Sequence, residues 1–185
     1  GAAEALALRA AGYAVTVVHG AGPQITAEME RRGITPSFVD GRRVTTAAVL
    51  EVVRESLAEV NAAVCAAIGE DAVPLFGDEI GLPAAQMESL GLVGHPAPSA
   101  PPEVVAALAA GRIPVVAPLA AEPDSGGSLN VNADEAAAAL AVGLGAGRIV
   151  FVSDVPGVLM DGAVMASIGV DDADRMLGDG TFEGG

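Results

Sequence analysis

The stretch "AVTVVHGAGPQITAEME", Ala14–Glu30, sets the fold class. Ala14–Val18 is an apolar run with little polar alternation and reads as a buried strand. His19-Gly20-Ala21-Gly22 is a turn of small residues. Pro23 then opens a helical run to Arg32, with Gly33 as its stop. Strand, tight turn and helix N-terminus follow one another directly, as in the βα connection of an α/β protein. Such a helix start is also a place where backbone N–H groups hold anions. Gly20 and Gly22 allow a ligand to approach the backbone closely. The turn is not the Walker pattern, because no Gly-Lys-Ser/Thr follows. It is not the GxGxxG dinucleotide fingerprint either, because Pro23, Gln24 and Ile25 follow Gly22. Taken alone, these residues leave both readings open.

The same grammar recurs along the chain. Gly1–Ala11 reads as an Ala/Leu helix closing at Gly12. Thr46–Ile68 reads as a long helix with Val49, Val52, Val53, Leu57 and Val60 at helical spacing. Ala72–Phe76, Ile113–Pro118 and Arg148–Ser153 read as buried strands. Glu103–Ala110, Asn132–Leu144 and Asp171–Leu177 read as helices. Gly77–Pro102 is rich in Gly and Pro and reads as hairpins and loops, and "DVPGVLMDGAVM" as a loop and small hairpin. Helices alternating with short Val-rich strands predict an α/β fold, a three-layer αβα sandwich around a mainly parallel central sheet.

Composition narrows the function. The 185 residues include 51% apolar residues, enough for a sizeable core. The net charge of −15 argues against nucleic acid and against anionic membrane surfaces. No stretch of about 20 apolar residues reads as a membrane span, and the N-terminus lacks the pattern of a signal peptide. A cytoplasmic protein is expected. The single cysteine, Cys65, excludes an internal disulfide framework and reads as a small core residue. His19 and His95 lack ligand spacing, so no metal site is expected. All nine cationic residues are Arg; there is no lysine.

Three further segments carry polar chemistry. In "FVDGRRVT", an Arg pair follows a Gly turn. It is either a solvated edge or a two-pronged clamp for a carboxylate. In "SLNVNADEA", Asn130 and Asn132 share one face if the segment is extended, and Asp134 falls in the first turn of the next helix. Helix capping and a polar pocket wall fit that pattern equally. In "IVFVSDVPGVLMDG", a strand ends at Ser153-Asp154 and Pro156-Gly157 turns the chain. Ligands in open α/β sheets bind beyond such strand ends.

In this order "VVHGAGPQI", "FVDGRRVT", "EVNAAV", "LGLVG", "IPVVAPL", "LNVNADEAAAALA" and "VSDVPGVL" resemble the amino acid kinase family, and within it the acetylglutamate kinases. The resemblance runs from Ala14 to Gly185. It implies transfer of the γ-phosphoryl of ATP, with Mg2+, to the side-chain carboxylate of N-acetyl-L-glutamate, a step towards arginine. Ala21 and Gly22 match the turn whose amides hold the moving phosphoryl, with Gly20 beside them on the nucleotide side. Arg43 matches the arginine on the substrate carboxylate, Asn130 the asparagine that holds acetylglutamate, and Asp134 the aspartate that orients two catalytic lysines. Asp154, Val155, Gly157 and Leu159 match part of the nucleotide site. The resemblance further implies an acid-binding lobe over 1–146, the start of a nucleotide lobe over 147–185, and a homodimer when full length.

This chain departs from the family pattern in holding neither lysine, and Ala21 stands where relatives often have Gly. We therefore expect a fragment lacking both ends and inactive by itself. A sister kinase acting on another carboxylate or carbamate, or a non-catalytic binding module of the same fold, are the alternatives.

Overall fold

The computed structural model of the chain describes residues 1–153, 157–160 and 163–178. They divide into two compact units, Gly1–Ile149 and Val150–Gly185.

The first unit opens with α1 (Ala2–Ala10), β1 (Val17–Val18) and α2 (Gly22–Arg31). The hairpin β2 (Phe38–Val39) and β3 (Arg42–Arg43) comes next, then α3 (Ala47–Ile68) and β4 (Ala72–Phe76). It continues through β5 (Ala84–Gln86), a 3-10 turn at Glu88–Leu90, β6 (Val93–Pro96), α4 (Pro102–Ala109) and β7 (Ile113–Ala117). It ends with β8 (Leu119–Ala121), β9 (Ser128–Val131) and α5 (Ala133–Gly143). The long helix forms where its periodicity places it. Thr46 caps it by accepting from Val49 N–H at 3.3 Å, and Gly69 closes it.

β7 is the centre of a parallel sheet ordered β1-β7-β4, with Val17 beside Val115 and Pro74 beside Val115 on the other flank. All five β7 residues are buried, so the strand shows no polar alternation. Its side chains serve two helical layers. Ile113 and Val115 pack with Leu6 of α1 and Ile68 of α3, and Ala117 with Ile25 and Met29 of α2 and Val53 and Leu57 of α3. Val116 turns the opposite way, to Val104 of α4 and Ala136 and Leu140 of α5. The three-layer αβα arrangement follows from that alternation. Each fully buried Val or Leu here contributes about 1.5–3 kcal/mol. Val49, Val52, Val53 and Leu57 face this core. That apolar stripe of α3 is therefore used within the chain.

A second sheet, β5-β6-β9-β8, is mixed: only β6 and β9 run parallel. It organises the Gly/Pro-rich stretch 77–102, in which the sequence showed only loops and hairpins. Two expected strands are reduced. Of Ala14–Val18 only Val17–Val18 is paired. Residues 148–153 form no strand among the described residues, and Val150, Phe151 and Val152 are exposed. Apolar β-branched residues supply the propensity for a strand, but a strand exists only against a hydrogen-bonding neighbour.

In the second unit, β10 (Leu159–Met160) and β11 (Ala163–Val164) pair as a small antiparallel hairpin, and α6 (Val170–Gly178) follows. No helix among the described residues is long and apolar enough to cross a membrane.

Candidate functional site

The site is built around the ends of β1 and β9 and the tip of the β2–β3 hairpin. A cleft of about 220 Å³ lies there, lined by Gly20, Ala21 and Gly22 of the first turn, Phe38 and Arg43 of the hairpin, and Asn130 of β9, among others. A larger hollow, about 570 Å³, lies at Leu6, Arg9, Tyr13 and Arg112. Arg9 is already paired with Asp71 there, and Arg112 with backbone carbonyls. The smaller cleft is therefore the one whose polar groups face a ligand.

The turn supplies amides. Ala21 is the N-cap of α2, with φ −146° and ψ 28°, so an alanine is accommodated without a left-handed backbone. Its methyl group offers no oxygen, and no side chain caps the helix. The first-turn N–H groups have no intrahelical partner by the geometry of any helix. Ile25 N–H reaches back to Ala21 O, but Pro23 has no N–H at all. What remains is a small, positively polarised cup at Gly22 and Gln24. A Cβ built on Gly22 would meet no atom within 4 Å, and its φ is not in the left-handed region. Neither packing nor backbone conformation demands a glycine there.

His19, just before the turn, is held from behind. Its Nε2 lies 3.1 Å from Asn61 Nδ2, and its Nδ1 lies 3.3 Å from Gly20 O. Asn61 is almost fully buried in the middle of α3 and also donates to Val115 O at 3.0 Å. Burial pushes the His19 imidazole below its ordinary value, opposed in part by its bond to Gly20 O. The ring is thus neutral, with Nδ1–H donating to Gly20 O and Nε2 accepting from Asn61.

The hairpin supplies the cation. Asp40 and Gly41 both have positive φ, 48° and 73°, which makes the two-residue turn that an Asp-Gly pair favours. Arg43 is 8% exposed, and its Nη2 donates to Thr26 Oγ1 at 2.8 Å. Contacts to Gly22 O at 3.3 Å and Met29 Sδ at 3.2 Å complete its setting. None of these partners is charged, and no carboxylate among the described residues pairs with it. Burial lowers the guanidinium pKa from its ordinary value, yet an arginine stays ionised in any protein. A buried guanidinium at a cleft wall, without a carboxylate partner among the described residues, is chemically suited to an anion. Arg42 differs. It pairs with Glu135 of α5, whose other oxygen lies 3.2 Å from His95 Nδ1.

Asn130 lines the cleft, and its Nδ2 donates to Thr45 Oγ1 at 3.1 Å. Asn132 lines it too, and caps α5 by accepting from Asp134 N–H at 2.8 Å and Glu135 N–H at 3.2 Å. The cap is thus Asn132 and not the Asp134 carboxylate, and Asn130 lines the cleft. Asp134 is exposed in the first turn of α5, one residue beyond Ala133 of the cleft wall. Gly20, Ala21, Gly22, Arg43 and Asn130 thus come together from three segments. Gly157, with φ 141°, and Leu159 of β10 belong to the second unit, and Asp154 and Val155 lie outside the described residues.

Sequence reasoning missed Thr45, Phe38 and the Arg42–Glu135 pair. Phe38 was within reach. Counting outward from Asp40-Gly41 places Val39 opposite Arg42 and Phe38 opposite Arg43, which is the observed register.

Fold and cleft together define an α/β protein with amides, a guanidinium and a carboxamide facing one ligand space. Residues 2–183 match the amino acid kinase family, and the chain belongs to it. Among its relatives, the acetylglutamate kinase of Frankia casuarinae is 43% identical over 173 residues, 86% of this chain and 48% of that protein. That of Leifsonia xyli subsp. xyli is 45% identical, with 83% and 56% covered. That of Geobacillus stearothermophilus is 37% identical, with 97% and 72% covered. The chain spans about half the length of the first two, which are 48% and 56% covered. A solved structure from Streptococcus mutans UA159 superposes with a TM-score of 0.85 at 24% identity, over 100% of this chain and 78% of that one. N-acetylglutamate synthase from Neisseria gonorrhoeae, complexed with coenzyme A and L-arginine, gives 0.72 at 23%, over 89% and 42%. These two likenesses support the fold alone.

Proposed function

We propose that the protein to which this chain belongs phosphorylates the side-chain carboxylate of N-acetyl-L-glutamate with ATP, in the synthesis of arginine. The observation that carries the reading is the buried, carboxylate-free guanidinium of Arg43 in one cleft with the uncapped start of α2 and the Asn130 carboxamide. The relatives named acetylglutamate kinase support the choice of acid.

Arg43 takes the substrate's α-carboxylate, and Asn130 holds its acylated amino group. The Gly20–Gly22 turn receives the phosphoryl group between donor and acceptor. The attacking oxygen is already an anion, so no general base is required. The difficulty is bringing anions together, which positioned amides and cations relieve. Asp134 would orient cationic side chains at the mouth of the cleft. Gly157 and Leu159, with Asp154 and Val155, would contribute to the nucleotide side. Mg2+ enters with the phosphates of ATP; among the described residues no cluster of three His, Cys, Asp or Glu side chains forms a metal site. A cytoplasmic location and a homodimer belong to the same reading.

Trapping the acyl phosphate with hydroxylamine in the full-length protein tests it. N-acetyl-L-glutamate should outcompete N-acetyl-L-aspartate and L-2-aminoadipate, and Arg43→Ala should lower the turnover of all three, which share the α-carboxylate. Equal turnover of the three acids would sink the assignment. The absence of lysine favours a second reading for these 185 residues by themselves: a unit that binds the acid without turning it over.

A further inference from the structure

Thr45 is fully buried, and three segments of the cleft meet at it. Its backbone joins the hairpin to the entry of β6. Thr45 N–H donates to Leu90 O at 2.9 Å, and Leu92 N–H donates to Thr45 O at 2.7 Å. Gly91 sits between these bonds with φ 78°, and a Cβ there would lie 2.4 Å from Thr45 O. Only glycine allows this approach. The side chain adds two bonds: Oγ1 donates to the Arg43 carbonyl at 2.9 Å and accepts from Asn130 Nδ2 at 3.1 Å.

A hydroxyl has one proton. With that proton on the Arg43 carbonyl, Oγ1 can only accept from Asn130. The carboxamide must then turn its NH2 group towards Thr45. Its Oδ1 is left as an acceptor without a protein partner among the described residues. We propose that Thr45 is a positioning residue for the acceptor substrate, fixing the amide orientation of Asn130 and tying it to the strand end that carries Arg43. The inference rests on the function proposed above. It also sharpens it: the acid must bring an N–H donor for Asn130 Oδ1 as well as a carboxylate for Arg43. An N-acylated amino acid brings both.

The test uses the 185-residue chain, labelled with nitrogen-15, with the Asn130 side-chain amide assigned through Asn130→Asp. The Asn130 Nδ2 protons should exchange with water about tenfold more slowly than those of Asn132, whose NH2 has no partner among the described residues. Thr45→Val should move the Asn130 signals and abolish that protection, and Thr45→Ser should restore it. In calorimetry, Thr45→Val should weaken N-acetyl-L-glutamate binding about tenfold, and Thr45→Ser by no more than about threefold. If Thr45→Val does not fold, exchange in the unchanged chain and in Thr45→Ser still decides. Asn130 protons that exchange as fast as those of Asn132 would overturn the proposal, as would signals that ignore Thr45→Val. Failure of the full-length protein to bind N-acetyl-L-glutamate sinks the functional reading instead, while the amide signals still report on Thr45.

Discussion

The guanidinium carbon of Arg43 lies 4.6 Å from the centre of the Phe38 ring. The two residues are directly opposite in the β2–β3 register, so the stack is a consequence of the Asp40-Gly41 turn. Phe38 covers the cation while Thr26 and the Gly22 carbonyl both accept from its Nη2. The fork is therefore fixed before any ligand arrives.

Replacing that fork should cost more than removing its cover. Arg43→Lys keeps the charge but loses paired donors and planar stacking. We expect N-acetyl-L-glutamate binding to weaken by about ten- to a hundredfold, the range for hydrogen bonds to charged groups. Phe38→Leu removes only the ring attraction, about 0.5–1 kcal/mol at an exposed site, or roughly two- to fivefold. Calorimetry on the two variants ranks them, and a larger loss for Phe38→Leu would contradict the clamp.

Gly22 and Gly91 should behave oppositely. Gly22→Ala meets open space at the first position of α2, so melting temperature should hold or rise slightly. Gly91→Ala forces a positive φ and a contact with Thr45 O, and should cost about 2 kcal/mol or more. Thermal melts separate them. A strongly destabilised Gly22→Ala would mean that the glycine serves the fold and not a ligand.

Much of this was legible in the sequence, for identifiable reasons. The helices carry their own periods and stops, so α3 and β4 fall within a residue of expectation. The sequence predicts a strand over 148–153 that the structure does not form there, because a strand is a relation between two segments and the sequence shows only one. In the site, Gly22, Arg43 and Asn130 were recognisable as residue types suited to anions. Thr45 was not. Its role depends on Leu90, Leu92 and Asn130, which lie 45 or more positions away and come together only through the β6–β9 pairing. The Asn61–His19 bond was hidden for the same reason, since it joins the middle of α3 to the end of β1.

The Asn132 cap gives a stability test that leaves Asp134 aside. Asn132→Ala removes the acceptor for two first-turn N–H groups of α5 and should cost about 1 kcal/mol. Asn132→Asp keeps the acceptor and should be nearly neutral. Asp134 has no side-chain partner among the described residues, so Asp134→Asn should lose only its interaction with the helix dipole, on the order of a few tenths of a kcal/mol by urea midpoint. A loss for Asp134→Asn equal to that for Asn132→Ala would show Asp134 to be structural.

Acid should loosen the chain first at His19. Its folded value lies below the unfolded one, near 6.5, so the unfolded state takes up the proton first. The stability present above that pH is lost as pH falls through 6.5 towards the folded value. Protonation also removes the acceptor facing Asn61 Nδ2. Glu28, held at about 2 by Arg31 and Arg32, keeps its full contribution above its ordinary 4.5 and loses it only below that pH, outside this window. We expect melting temperature to decline between pH 7.5 and 5, and His19→Gln to flatten the decline. An unchanged slope in His19→Gln would assign the effect elsewhere.

The last prediction separates binding from turnover. The cleft offers a paired-donor clamp, a carboxamide and uncapped amides, all within Gly1–Ile149. In the proposed function those groups hold an N-acylated dicarboxylic acid. Transfer requires more, since the charge that gathers on the phosphoryl oxygens must be met by fixed cations. Losing even one preorganised donor typically costs about 10²–10³ in rate. Near the cleft Arg42 is already paired with Glu135, and Arg43 is committed, in the proposed function, to the substrate's α-carboxylate; the 185 residues hold no lysine. The 185-residue chain should therefore bind N-acetyl-L-glutamate in calorimetry and release no acid-dependent ADP. Arg43→Ala should abolish the binding heat while the circular dichroism spectrum is retained. Acid-dependent ADP release by the unchanged chain would show that lysine is dispensable here, and would move the search for the catalytic cation to the arginines.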